Sequence, residues 1–243
     1  MIVNQFDDGW EIIYQRSHAL LAAELVSFWQ EKYRPQRWLE TLFAIVQHDD
    51  EERYWDESRH LTKTGMPLDF RRATTETNLK QARYVLTLAE QQSRWMALMI
   101  SCHNTFLMDK HRGEDDEVDK FLEEQDKNQQ RWRRSLDVSK STVEDAYALV
   151  RWGDRLSLIL CERALPDRQR KLDITPLPDG EMSTIYQRED ETLRVDPWIF
   201  VADEFTVKLE VRRLRQAAFE SESELDNALE NALVETDGWH FVK

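Results

Sequence analysis

The chain has 243 residues, a formal net charge of −14 and a hydrophobic fraction of 41% that includes nine tryptophans. A mean hydropathy of −0.69 and a pI near 4.9 describe a very polar, acidic surface over enough apolar material for one substantial core. This charge would repel phosphate backbones and anionic lipid surfaces, which makes both poor candidates as partners. We therefore expect neither a nucleic-acid polymer nor a membrane as a partner.

The first residues and the two cysteines predict a cytoplasmic protein. Residues 1–8 have neither the basic start nor the apolar segment of a signal peptide. Cys102 and Cys161 are too few for a disulfide framework, and both lie in apolar helical patterns where buried thiols are ordinary. The longest apolar stretch, residues 95–108, is too short and too polar to span a bilayer.

From residue 16 to about residue 165 the apolar spacing is helical almost throughout, which predicts a mainly α fold. Residues 49–72 are predicted to form a loop, and Pro166 ends the helical block. In chain order, the predicted helices are one after residue 16, one from about residue 36, a long segment over 75–112 with room for a break, an amphipathic helix over about 118–136, and a last helix over about 142–165.

After Pro166 the pattern changes to short runs that are rich in β-forming residues. These runs cover residues 182–187, 192–195, 205–211 and 239–242, with one helix over about 222–234. The run at residues 10–14 also has strand character and could join this sheet. The sequence thus predicts a helical core over residues 1–166 and a small C-terminal mixed α/β appendage over residues 167–243, packed on the core.

Two aspartates stand where the helical spacing predicts apolar side chains. Asp49 ends a stripe formed by Leu39, Leu42 and Val46, and Asp154 lies within the stripe that runs from Tyr147 to Cys161. A carboxylate buried in such a stripe must be paired, protonated or bound to a metal, because an isolated buried charge is very costly. The alternatives are that Asp49 ends its helix facing water and that Asp154 pairs with Arg151 or Arg155.

Three histidines belong to the same pattern. His18 begins an apolar stripe, His48 precedes Asp49, and His103 continues the buried face of its helix. Taken alone, each histidine is more often a hydrogen-bonded core residue than a ligand. Together with the two aspartates, however, they form a set of nitrogen and oxygen ligands suited to a divalent transition metal.

The order of these residues resembles the HD-domain superfamily of metal-dependent phosphohydrolases. The resemblance covers about residues 16–165, with Asp154 inside the run Trp152-Gly153-Asp154-Arg155-Leu156-Ser157. The residues around His18 and His48 further resemble a bacterial family with no assigned function, a branch of that superfamily. The resemblance implies an HD-type helical core with His18, His48, Asp49 and Asp154 as metal ligands and His103 beside a second metal.

The same resemblance implies a phosphohydrolase that acts on a phosphate ester or a nucleotide through a metal-bound water. Asp154 or Glu52 would accept a proton from this water, and the cofactor would be one or two ions of Mn, Fe, Zn, Mg, Co or Ni. The partner would be a small phosphorylated molecule, and a homo-oligomer is compatible with the sequence. The candidate phosphate contacts are selected by their charge alone, with surface ion pairs as the alternative, and they are Arg16, Arg94, Arg151 and Arg155.

A non-catalytic protein that binds a metal or a nucleotide on the same fold is the alternative function. It stays open because a ligand set can persist without turnover. Two departures from the superfamily pattern argue against the second metal and leave the substrate open. The gap between Asp49 and Asp154 is long, and no second histidine follows His103 one turn later. The β-rich segment carries no catalytic signature.

Overall fold

Residues 1–6, 8–50 and 60–243 are described by a computed structural model, and they form a mixed arrangement of helices and strands. The α-helices in these ranges are α1 (Gln15–Ser27), α2 (Trp38–Gln47), α3 (Thr75–Gln92), α4 (Arg94–Met108), α5 (Asp116–Leu136), α6 (Lys140–Cys161) and α7 (Glu222–Asn231). The strands are β1 (Ile2–Phe6), β2 (Gly9–Ile13), β3 (Leu172–Pro176), β4 (Met182–Gln187), β5 (Leu193–Asp196), β6 (Glu204–Leu214) and β7 (Leu233–Val242).

The described strands form one seven-stranded sheet in the order β1-β2-β6-β7-β5-β4-β3. β5 and β7 are parallel, and the other neighbours in this order are antiparallel. Both ends of the chain contribute, because β2 pairs with β6 from Trp10 opposite Leu214 to Ile12 opposite Arg212. The N-terminal run with strand character, predicted at residues 10–14, therefore forms the second strand of the sheet, between β1 and the C-terminal strand β6.

The prediction of a mainly α fold, an HD-type helical core with a small C-terminal appendage, is wrong. The sheet is too large to be an appendage, and the N-terminal strands belong to it. Two physical features explain why some strands of this sheet were not predicted from the sequence. β1 and β3 have only five residues each, which is too short for a clear alternation of buried and exposed side chains. β7 is largely exposed along its length, so its apolar pattern resembled the end of the preceding helix.

Helices and sheet share one hydrophobic core, in which Trp152 of α6 contacts both layers. This side chain is fully buried, and its ring meets those of Trp29 and Phe200 edge-on at centroid distances of 4.9 and 5.9 Å. Its indole Nε1 donates a hydrogen bond to Ser183 Oγ of β4 at 3.0 Å. The aromatic contacts continue from Phe200 to Phe205 of β6, so the helical layer and the sheet pack as one unit.

The close packing of α1 against α6 depends on Gly153. A Cβ atom at this position would lie 2.8 Å from Val26 Cγ2 and 3.1 Å from the carbonyl oxygen of Ala22. A larger residue would therefore push the two helices apart. His18 lies one turn before Ala22 and Asp154 follows Gly153, so this close approach also brings two polar side chains together.

The first half of the longest apolar stretch, residues 95–108, lies inside the protein. Residues 95–101 at the start of α4 are all buried, and Ser93 caps this helix by accepting a hydrogen bond from the Trp95 backbone N–H at 3.1 Å. Ser93 also separates α3 from α4 within the long helical segment predicted over 75–112. In the described part of the chain, none of the helices combines the length and the apolar composition that a bilayer crossing requires.

Candidate metal centre

Four polar side chains from three parts of the helical layer converge at one point. His18 comes from α1, His48 and Asp49 directly follow α2, and Asp154 comes from α6. One nitrogen or oxygen atom of each side chain lies within 4.8 Å of those of the other three. Both histidines are buried and both aspartates are half-buried. Imidazole nitrogens and carboxylate oxygens are common ligands of divalent transition metals, so this group could hold a metal ion.

The hydrogen bonds of His18 fix which ring nitrogen faces the group. Its Nδ1 lies 2.9 Å from Ser157 Oγ, and that hydroxyl donates its single hydrogen to the carbonyl oxygen of Asp154 at 2.9 Å. Ser157 Oγ must therefore accept from His18, which places a hydrogen on Nδ1. The other nitrogen, Nε2, lies 2.8 Å from Asp49 Oδ2.

His48 is oriented in the same way by the backbone. Its Nδ1 donates to the carbonyl oxygen of Ile45 at 2.6 Å. Its Nε2 lies 3.2 Å from Asp154 Oδ1 and 3.7 Å from Asp49 Oδ2. Both histidines thus hold Nδ1–H on an outer partner and direct Nε2 toward two carboxylates, which is how proteins commonly orient metal-binding imidazoles.

The electrostatics of the group require a positive charge between its members. A neutral imidazole with its hydrogen on Nδ1 would present the Nε2 lone pair to a carboxylate oxygen, and the two would repel. Burial disfavours the charged form of His48, but the carboxylates of Asp49 and Asp154 outweigh it and raise its pKa to about 9. Burial also opposes ionisation of Asp49, yet the neighbouring His48 and His18 hold its pKa well below the usual range. The group therefore keeps its carboxylates ionised and takes up a cation, either a proton or a metal.

Zinc binding is expected to weaken as the pH falls from about 8 to about 6, by up to about tenfold per pH unit for each proton displaced. The sign follows from His48, because its raised pKa means that Nε2 is protonated at neutral pH and a metal must displace this proton. Isothermal titration calorimetry in two buffers of different ionisation enthalpy would count the protons released. An affinity that does not change over this pH range would contradict the expectation.

His103 lies beside the group without belonging to it. Its ring meets that of His48 edge-on at 4.9 Å, and it is buried on α4. Burial lowers the pKa of His103 to about 4, so the ring is neutral, and its Nδ1 has no hydrogen-bond partner among the described residues. Its predicted role beside a second metal stays a prediction.

The group borders a cavity of about 380 Å³. His48, Asp49 and Asp154 line it, and so does His103. Gln15 also lines it and donates from Nε2 to Asp49 Oδ2 at 3.2 Å. A small molecule in the cavity would therefore touch the carboxylates and imidazoles directly.

The arginines predicted as phosphate contacts lie elsewhere. Arg16 pairs with an aspartate on the surface, and Arg94 is exposed at the start of α4. Arg151 stacks on the Phe106 ring at 4.2 Å, and Arg155 is half-buried on α6. Within the described ranges, none of these four arginines lines the cavity.

Two other cations line the cavity, and no sequence pattern singles them out. Arg71 lies in a short 3₁₀ turn before α3, and Lys110 lies in another one after α4. They are distant in sequence and belong to irregular segments, so only the tertiary structure brings them to one cavity. Glu52, the predicted alternative proton acceptor, lies outside the described residues.

The chain belongs to the family described as a protein of unknown function (DUF3891), whose model matches residues 1–216. Searches of the curated proteins and of the solved structures gave no match. The predicted membership of the HD-domain superfamily is wrong, because the matching family model is a different one and the fold is mixed rather than all-helical. The hydrolase activity that this resemblance implied therefore has to be argued from the site alone.

Proposed function

We propose that His18, His48, Asp49 and Asp154 bind one divalent transition metal ion, and that the protein hydrolyses a phosphate ester in the adjoining cavity. The observation that carries this proposal is the convergence of two imidazole Nε2 atoms and two carboxylates at the border of a cavity. This mixed donor set suits Mn, Fe, Co, Ni or Zn better than Mg, which prefers oxygen ligands.

The distances within the group are compatible with a single ion. Neighbouring ligands around a tetrahedral zinc stand about 3.4 Å apart, given metal–ligand bonds of about 2.0–2.2 Å. The separations between Nε2 and carboxylate oxygens are 2.8 Å for His18 with Asp49, and 3.2 Å for His48 with Asp154. Side-chain movements of a few tenths of an ångström would open these two contacts, and the wider pairs of the group, which extends to separations within 4.8 Å, would draw closer around an ion.

The side chains around the metal site would have separate roles in the reaction. When bound, a divalent metal lowers the pKa of a coordinated water and polarises a phosphoryl oxygen. Ser157 and the backbone of Ile45 hold the two imidazoles in the required tautomer. Asp154 lines the cavity beside the metal ligands, and we assign it the role of accepting the proton from the attacking water. His103 is neutral and lines the same cavity, where it can exchange a hydrogen bond with the substrate.

Metal-dependent hydrolysis is the direct test. Protein stripped with a chelator and reloaded with Mn, Fe(II), Co, Ni or Zn would be assayed on p-nitrophenyl phosphate, bis(p-nitrophenyl) phosphate and mononucleotides. We expect turnover that requires the metal and that falls by about a hundredfold or more in Asp154→Asn, because a ligand and a proton acceptor are lost together. Asp145→Asn is the matched control, since Asp145 is an exposed aspartate on the same helix.

A protein that binds metal stoichiometrically but turns over none of these esters would contradict the hydrolytic part of the proposal. The non-catalytic metal- or nucleotide-binding function would then be favoured.

A further inference from the structure

We infer that Arg71 and Lys110 form an anion subsite in the cavity, and that this subsite selects a small phosphomonoester over a phosphodiester. The inference deepens the proposed phosphohydrolase function and rests on it for the substrate. The subsite itself depends only on the residues of the cavity.

The local charge of the cavity favours an anion subsite at these two residues. The chain carries a net charge of −14, and the carboxylates of Asp49 and Asp154 line the cavity. A phosphate would be repelled from such a cavity unless cations compensated locally. Arg71 and Lys110 are cations on its wall, and Lys110 makes no ion pair within the described part of the chain. Its charge is thus available to a ligand.

A hydrogen bond to Asp69 holds the Arg71 side chain in place. Its Nε donates to Asp69 Oδ1 at 2.6 Å. Asp69 is buried, and it also accepts from the backbone N–H groups of Val3 and Arg71 at 3.0 Å each. Only a loose contact of 3.5 Å joins Arg71 Nη1 to Glu162. Asp69 is therefore a positioning residue that engages Nε, so an oxyanion would bind at the two Nη atoms in competition with Glu162.

The N-terminal end of α3 lies at the cavity as well. This helix has 18 residues, and Thr75 and Asn78 of its first turn line the cavity next to Arg71. The N-terminal end of a helix carries a partial positive charge, which adds to that of the two cations. The amides of Asn78 and Gln81 supply neutral hydrogen-bond donors and acceptors in the same cavity.

Charge and size together define the substrate class. At neutral pH a phosphomonoester is largely a dianion, whereas a diester carries a single charge, so two cations favour the monoester. A cavity of about 380 Å³ takes one small molecule, and a diester would need room for a second organic group beside the metal site. These features indicate a small phosphomonoester.

The experiment compares two esters on metal-loaded enzyme. We expect Lys110→Ala to raise the KM for p-nitrophenyl phosphate by about tenfold with little change in kcat, because it removes a charge-assisted contact that does not touch the reacting atoms. The KM for bis(p-nitrophenyl) phosphate should change by less than about threefold. Arg94→Ala, which removes an exposed arginine away from the cavity, is the control. Equal effects on both esters, or no effect on either, would overturn the selectivity.

A second measurement separates the subsite from the hydrolytic function. Binding of inorganic phosphate to the chelator-treated, metal-free protein would be measured by calorimetry for the wild type, Lys110→Ala and Arg71→Gln. We expect both variants to weaken phosphate binding by about tenfold, whereas Arg94→Ala leaves it unchanged. If no ester is hydrolysed but this pattern holds, the proposed function fails and the subsite stands. If wild-type protein binds no phosphate, or neither variant weakens binding, the subsite is overturned.

Discussion

Trp152→Ala is expected to lower the free energy of unfolding by about 3–5 kcal/mol, the range for removing a large buried aromatic side chain. The substitution deletes a fully buried ring that contacts Trp29 and Phe200. It also leaves Ser183 Oγ without the hydrogen bond from the indole. Because these contacts join α6 to the sheet, the loss should affect helices and strands together. Urea unfolding followed by circular dichroism would measure the change.

Trp38→Ala is a suitable control for this effect. Trp38 is half-buried at the start of α2, where it lies under the Arg34 guanidinium at 5.1 Å. Its replacement should cost clearly less than that of Trp152, since less apolar surface returns to water. The shared core also predicts a single cooperative transition in both variants. Two separate transitions, one of them unchanged by Trp152→Ala, would show that the sheet folds independently of the helices.

Asp154→Asn should weaken zinc binding by about a hundredfold or more while the protein stays folded. The substitution keeps the size of the side chain but removes an anionic ligand, which is also the negative charge that faces His48 Nε2. With one carboxylate left, the group attracts a cation less strongly. Competition titration against a chromophoric chelator would give the affinities of wild type and variant.

Asp145→Asn controls for the general effect of a charge change on α6. Asp145 is exposed and lies two turns or more from the metal group, so its variant should bind zinc as the wild type does. Circular dichroism of both variants would verify the fold. Equal affinities of Asp154→Asn and the wild type would remove Asp154 from the set of ligands.

Polar residues on helices can be selected from the sequence when they stand at positions where the helical spacing predicts apolar side chains. His18 shows this best, since Ala22, Leu25 and Trp29 of its stripe are all buried, as is His18 itself. Asp49 lies in the polar group, although the apolar stripe from which it was selected is wrong. Leu39 of its supposed buried stripe is 64% exposed, and α2 instead buries Ala44 and Ile45. Asp49 reaches the other three side chains because α2 ends just before it. Apolar spacing does not predict where a helix ends in this way.

The larger errors concern features that local patterns do not encode. Few glycines and prolines and many helical stripes favoured a mainly α fold, and the pairing of β2 with β6 joins residues about two hundred positions apart. The cations of the cavity are a second example. Arg71 and Lys110 lie in short turns, where their charges resemble ordinary surface charges, and only the packing of α3 and α4 brings them to the same cavity.

The most direct test of the metal centre is a crystal structure of the zinc-loaded protein with an anomalous difference map recorded at the zinc edge. We expect one strong peak within about 2.0–2.2 Å of the Nε2 atoms of His18 and His48 and of carboxylate oxygens of Asp49 and Asp154. The direct contacts between these histidines and aspartates, now 2.8 and 3.2 Å, should lengthen around the ion. The absence of a peak at this position, with those hydrogen bonds intact, would show that the four side chains are a structural polar cluster.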